Sequence, residues 1–270
     1  MCVRDGDSEG GLGRAGDDKH DRMRALLGAM CDPLLIAGTS APVDAPMLIG
    51  GGEAIDIALK SARHATQRKR IICLQRCYHG HNGLAVKVGD DRCSKLFLSE
   101  ASEDEVTKVP FNDLDAMEAE IMKGDAACVI IESIPATYGF PMPIPGYLKA
   151  IKEMCEKVGT LYIADEVVTG FGRLGTMFGS DHYGMQPDLI TIAKGLTSAY
   201  APLSGVIVGE KMWAGLVQGS DELGSLGHGW TYSAHPICVA AGVANLELID
   251  ELDLVTNAGD TGAYFRAELA

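Results

Sequence analysis

The chain has 270 residues, 47% of them hydrophobic, enough for one large domain or two small ones around a sizeable core. A formal net charge of −14 disfavours nucleic acid or an anionic membrane as a partner, yet leaves room for a local cationic site and a small anionic substrate. Eight cysteines form no CxxC pair, no run approaches about 18 apolar residues, and the N-terminus lacks a signal-peptide core, so a cytoplasmic location is expected.

Residues 1–46 are rich in glycine and charge, and are expected to be disordered apart from a short helical pattern at Met23, Leu26, Leu27 and Met30. From about residue 47 the chain alternates short apolar runs with helical patterns. The runs are Ile71–Leu74, Cys128–Ile131, Leu161–Ala164, Leu189–Ile192 and Gly205–Val208. Bounded by polar residues or glycine, they read as strands buried on both faces. The clearest helix covers Tyr147–Lys157, with Leu148, Ile151, Met154, Cys155 and Val158 on one face. Pro145 and Gly146 open it and Gly159 stops it. A second helical stretch, rich in small residues, spans Ala234–Leu252. Such alternation predicts an α/β fold, a mostly parallel sheet flanked by helices, with a ligand site at the carboxyl ends of the strands. Cys73, Cys128 and Cys155 lie inside apolar runs and read as buried free thiols.

Four segments carry chemistry. Gly50-Gly51-Gly52 precedes a helical run through Lys60; it is either a phosphate cradle at a helix N-terminus or a flexible entry loop. It is not a P-loop, because no Gly-Lys-Ser/Thr follows. Tyr78-His79-Gly80-His81 follows the first strand, where an aromatic ring can stack on a planar group. His79 and His81 have no third ligand nearby in sequence, so a metal is not expected. Asp165 ends one strand, and Lys194 follows another 29 positions later. A strand-end lysine with a strand-end carboxylate suits a Schiff base to pyridoxal phosphate, with the aspartate on the pyridine nitrogen. An opposite charge there keeps the nitrogen protonated. Lys194 then serves as general base, with burial among the factors expected to bring its amine towards neutral pH. Taken without the other segments, Lys194 reads as a surface lysine in a helix-start loop.

In order, Gly51-Gly52-Glu53-Ala54, Tyr78-His79-Gly80, Ala164-Asp165-Glu166-Val167, Thr169-Gly170-Phe171-Gly172-Arg173, Ala193-Lys194-Gly195 and Thr231-Tyr232-Ser233-Ala234-His235-Pro236 complete the pattern. Over about residues 47–255 the chain resembles the class III pyridoxal-phosphate aminotransferases, especially their omega-amino-acid:pyruvate branch. The resemblance implies the large cofactor domain of an aspartate-aminotransferase-like fold, with 256–270 beginning a further region. It implies Lys194 as the Schiff-base lysine, Asp165 at the pyridine nitrogen, Tyr78 and Val167 on opposite ring faces, and Gly51 and Gly52 at the phosphate. Glu132 resembles the glutamate near substrate and ring. Thr231 resembles the threonine that reaches the phosphate of a neighbouring subunit, which implies a homodimer with shared sites. His79, Glu166 and Arg173 take supporting roles.

Gly52 departs from the family, which usually has serine or threonine there. The family's chains are also longer, so this one is expected to be truncated at both ends. The implied reaction moves an amino group from an amine or omega-amino acid to a keto acid such as pyruvate. Its alternatives are an inactive cofactor-binding fragment, or an aminomutase or decarboxylase on the same scaffold.

Overall fold

A computed structural model describes residues 47–48, 50–209, 212 and 228–269. The expectations for 1–46 lie outside the described residues.

The strands are β1 (Met47–Leu48), β2 (Arg70–Leu74), β3 (Val106–Val109), β4 (Ala126–Glu132), β5 (Leu161–Asp165), β6 (Leu189–Ile192) and β7 (Ser204–Val208). The helices are α1 (Gly51–Thr66), α2 (Gly83–Val88), α3 (Asp91–Leu96), α4 (Leu114–Ile121), α5 (Tyr147–Val158), α6 (Gly179–His182), α7 (Pro236–Glu251) and α8 (Leu254–Leu269). One sheet runs in the order β1-β7-β6-β5-β4-β2-β3. Strands β2 to β6 pair in parallel, whereas β7 is antiparallel to both β6 and β1. All five apolar runs are strands. Two strands had no such signal: β1 is only two residues long, and β3 is the half-buried edge segment Val-Thr-Lys-Val.

Alternate residues of each central strand face opposite layers. Cys128 and Ile130 of β4 join Ile55, Leu59 and Ala62 of α1, while Val129 and Ile131 join Met117 of α4, Ile151 of α5 and Leu246 of α7. Both faces are therefore covered, which is why every residue of β2 and β4 is buried. Each fully buried Ile or Leu contributes roughly 1.5–3 kcal/mol. Cys73, Cys128 and Cys155 are buried in these two layers as free thiols.

Two arginines close the amino-terminal edge of the sheet. The Arg68 guanidinium donates to the carbonyls of Val158, Gly159 and Ala126, meeting the free carbonyls at the end of α5. Arg70, at the start of β2, pairs with Glu120 at 2.9 Å and with Asp125. That edge is tied down by charge. At the opposite end, where the parallel strands finish, Glu132 and Asp165 line a cleft.

Candidate active site

Strand register brings the candidate residues together. Glu132 at the end of β4 lies beside Asp165 at the end of β5, and Asp165 lies beside Thr191 of β6. Beyond Thr191 the chain leaves the sheet through Ala193 and turns at Lys194, which has a φ of 38°. Beside these strand ends is a cleft of about 300 Å³. Gly51, Gly52, Tyr78, His79, Glu132, Asp165, Val167 and Lys194 all line it. Thr231 does not; it is exposed in the turn before α7.

Asp165 and Glu166 are adjacent carboxylates with opposite duties. Asp165 is buried at the cleft, where its Oδ2 lies 2.6 Å from Nδ1 of His79. Its Oδ1 accepts from the Val167 amide at 3.1 Å and from the Thr191 hydroxyl at 3.4 Å. Three partners on three segments hold this carboxylate still. Glu166 turns into the protein, where it accepts from the amides of Gly179 at 2.8 Å and Ser180 at 2.6 Å and from the Thr169 hydroxyl. Burial raises the Glu166 pKa, and these hydrogen bonds oppose the rise. Glu166→Ala would strand two buried amides. We expect a loss of about 2–3 kcal/mol, read as a lower denaturant midpoint.

His79 is buried behind Asp165. Its Nδ1 faces a carboxylate and is therefore the donor, and Nε2 has no hydrogen-bond partner among the described residues. Burial disfavours a charged imidazole, but the hydrogen bond and charge of Asp165, with Glu132 behind, raise its pKa above the ordinary value. Burial also raises the pKa of Glu132; His79 opposes that shift and Asp165 adds to it. Glu132 ties two sides of the cleft together. Its Oε1 accepts from the Tyr78 amide at 2.8 Å and its Oε2 from the Ala136 amide at 3.3 Å.

The glycines form the floor. Gly50 is the extended residue before α1, and its amide donates back to Glu53 at 3.2 Å. Gly51 and Gly52 are the first helical residues, whose amides have no acceptor within the helix. A Cβ on Gly51 would touch both methyls of Val167 at 3.2 Å. A Cβ on Gly52 would run into Oδ1 of Asn82, a side chain that donates to Asp56 at 2.9 Å. The serine or threonine usual in the resembled family has no room here while Asn82 keeps this position. Gly80 combines a φ of 121° with a hypothetical Cβ only 2.6 Å from Gly52 Cα. Gly80→Ala is expected to cost about 2–3 kcal/mol from crowding and backbone strain, and to displace the start of α1. Thermal unfolding checks the first effect and phosphate affinity the second.

One expectation needs correction. Lys194 was expected to be buried, yet its side chain is exposed to solvent in the single chain. It belongs to a short 3₁₀ turn at the cleft, and none of the described elements buries it. Tyr78 is likewise 40% exposed, with its ring edge-on to His81 at 5.0 Å between centroids.

A model of the family Aminotransferase class-III matches residues 34–270. The chain belongs to the class III aminotransferases. Among its relatives in this family is the diaminobutyrate–2-oxoglutarate transaminase of Halomonas elongata, 40% identical over 82% of this chain and 53% of that one. The omega-aminotransferase of Caulobacter vibrioides is 34% identical over 80% of this chain and 55% of its own length. The chain thus spans about half the length of these relatives. Among solved structures, a transaminase from ancestral reconstruction superposes with a TM-score of 0.80, 36% identity and coverage of 95% of this chain and 61% of that one. The omega transaminase of Pseudomonas jessenii, described as a complex with PMP, gives 0.78, 26% identity and coverage of 95% and 61%.

This class III aminotransferase chain also uses cleft residues that no sequence motif marked. Thr197, Ala199, Ala201, Pro202 and Leu203 line the cleft with Lys194. Thr191 reaches Asp165, and Asn82 with Asp56 backs the glycine floor. Thr191 sits inside an apolar run, where a lone threonine reads as ordinary strand. Position along the fold, more than residue type, marks these groups.

Proposed function

We propose that the cleft binds pyridoxal 5'-phosphate and that the chain carries the cofactor half of an amino-group transfer from an amine or omega-amino acid to a keto acid such as pyruvate. The observation that carries this reading is the convergence of Lys194, the anchored Asp165, Tyr78, Val167 and the start of α1 on one cleft. The residues fit the group on physical grounds. A helix N-terminus free of side chains suits a phosphate. A buried carboxylate held by His79 suits a cationic ring nitrogen. The Pseudomonas jessenii relative, described with PMP, supports the same assignment.

When bound, the cofactor supplies an electron sink for the substrate carbon. The chain's own residues supply the rest. Asp165 holds a proton at the ring nitrogen, and His79 keeps the carboxylate from rotating away. The amides of Gly51 and Gly52 take the phosphate, while Tyr78 and Val167 confine the ring between them. Glu132 fixes the backbone of Tyr78, and so the height of its ring above the floor. Lys194 would hold the cofactor through its amine, and that amine would also move the proton at the substrate carbon.

The exposed Lys194, the half-open Tyr78 and the exposed Thr231 support a homodimer in which a second copy covers the cleft and receives Thr231 at its phosphate. Eight cysteines without a CxxC pair support a cytoplasmic location. No described helix is long and apolar enough to cross a membrane.

The deciding experiment is an absorbance spectrum of the chain with pyridoxal phosphate, before and after borohydride, followed by peptide mapping. A band that becomes covalent on the Lys194 peptide is expected. A folded protein with no such band would end the proposal. Product analysis with and without pyruvate then separates amino transfer from an internal shift or a decarboxylation.

A further inference from the structure

Lys194 does not sit on a regular element. Its turn contains three non-glycine residues with positive φ, Lys194 at 38°, Ser198 at 48° and Ala199 at 65°, a conformation that persists only where neighbours impose it. Two neighbours do so. On one side the Phe171 ring lies so close that a Cβ on Gly195 would meet it at 3.0 Å. On the other side is Asn245, from α7, about fifty residues along the chain.

All the hydrogen-bonding capacity of the Asn245 amide that the turn can use is engaged. Its Nδ2 donates to the carbonyl of Gly195 at 2.8 Å and to that of Leu196 at 3.1 Å. Its Oδ1 accepts from the Ser198 hydroxyl at 2.7 Å. These contacts fix which way round the amide lies, because a flipped amide would set an oxygen against two carbonyl oxygens. The carbonyls of Gly195 and Leu196 follow the end of β6 and have left the sheet ladder, so a side chain meets a need the strands do not.

We propose that Asn245 is a positioning residue for the Lys194 amine: it holds the strained turn that presents the lysine to the cleft. This rests on the reading of Lys194 as the cofactor lysine. Asn245 is absent from the cleft lining and acts only through the backbone that carries Lys194. Its effect should therefore vanish when the lysine amine is gone.

That condition defines the test. Asn245→Asp keeps the size and shape of the side chain but turns two donated bonds into oxygen–oxygen repulsion. Pyridoxal phosphate retention is measured by equilibrium dialysis for the full chain, Asn245→Asp, Lys194→Ala and the double variant. Asn245→Asp is expected to weaken retention about tenfold when Lys194 is present, and less than about twofold in the Lys194→Ala background. Equal losses in both backgrounds would make Asn245 a general support of the fold, and no loss in either would make it idle; both results overturn the proposal. Should Asn245→Asp fail to fold, Ser198→Ala removes one exposed bond and carries the same comparison, with about a threefold loss confined to the lysine background. Hydrogen exchange at the amides of 196–200, without cofactor, should quicken in either variant, and unchanged exchange would also overturn the proposal. If the unaltered chain retains no cofactor, the functional reading fails by itself, while the exchange measurement still decides whether Asn245 holds the turn.

Discussion

Lys194→Ala is expected to lower the proposed amino transfer by about 10⁴-fold, because one substitution would remove both the proposed nucleophile and the proposed proton carrier. The cofactor should still bind, since the glycine floor, Asp165, Tyr78 and Val167 remain in place. The borohydride-fixed band should disappear while a non-covalent complex persists in dialysis. Folding should change little, because an exposed side chain at a cleft mouth carries little packing energy. Added methylamine should restore part of the proton transfer, since a free amine can occupy the vacated space. A variant that keeps the covalent band would move the attachment to another lysine, and the functional assignment of the turn would fall with it.

Asp165→Asn should have the second largest effect, about 10²–10³-fold on kcat. Asparagine has nearly the same shape and its oxygen can still accept from His79. Its NH2 cannot accept from the Val167 amide, so the substitution removes the charge and that one bond. Without that charge the ring nitrogen of the proposed cofactor would lose its reason to stay protonated, and the electron sink would weaken. The loss should fall on kcat more than on cofactor affinity, because the proposed phosphate site at Gly51 and Gly52 is untouched. Stopped-flow measurement of the half-reaction with an omega-amino acid separates the two. A loss in affinity alone would show Asp165 to be a binding residue without a part in the chemistry.

His79 links the two results. It was expected to play a supporting part, and its position explains how: Nδ1 meets Asp165 at 2.6 Å inside the protein, where the side chain has no route to solvent. The motif Tyr-His-Gly therefore sends two consecutive side chains to different places. Tyr78 lies over the cleft and His79 behind its carboxylate. Gly80 permits the backbone to pass within van der Waals contact of Gly52. A sequence shows these three letters together, but only the end of β2 folded over β4 and β5 places them on different sides of Asp165.

Much about this protein was written in the chain itself. Buried central strands must be apolar on both faces, so the five runs were visible as strands. Strand-end chemistry stands out against them, which is why Asp165 and Lys194 could be picked without a structure. Helix α5 was legible for a related reason: a one-sided apolar stripe between Gly146 and Gly159 has few other solutions. Family membership followed from the order of the motifs. What tertiary structure decided was contact between distant segments. The division of labour between Asp165 and Glu166 depends on which way two adjacent side chains point as the chain leaves β5. The crowding that leaves no room for a side chain at Gly52 depends on Asn82, held by Asp56. The clamp of Asn245 on the Lys194 turn depends on how α7 returns to the end of β6. Periodicity records the burial of a single segment, because water is excluded one face at a time. Hydrogen bonds across fifty or a hundred residues leave no period behind, and only the packed fold brings their partners within reach.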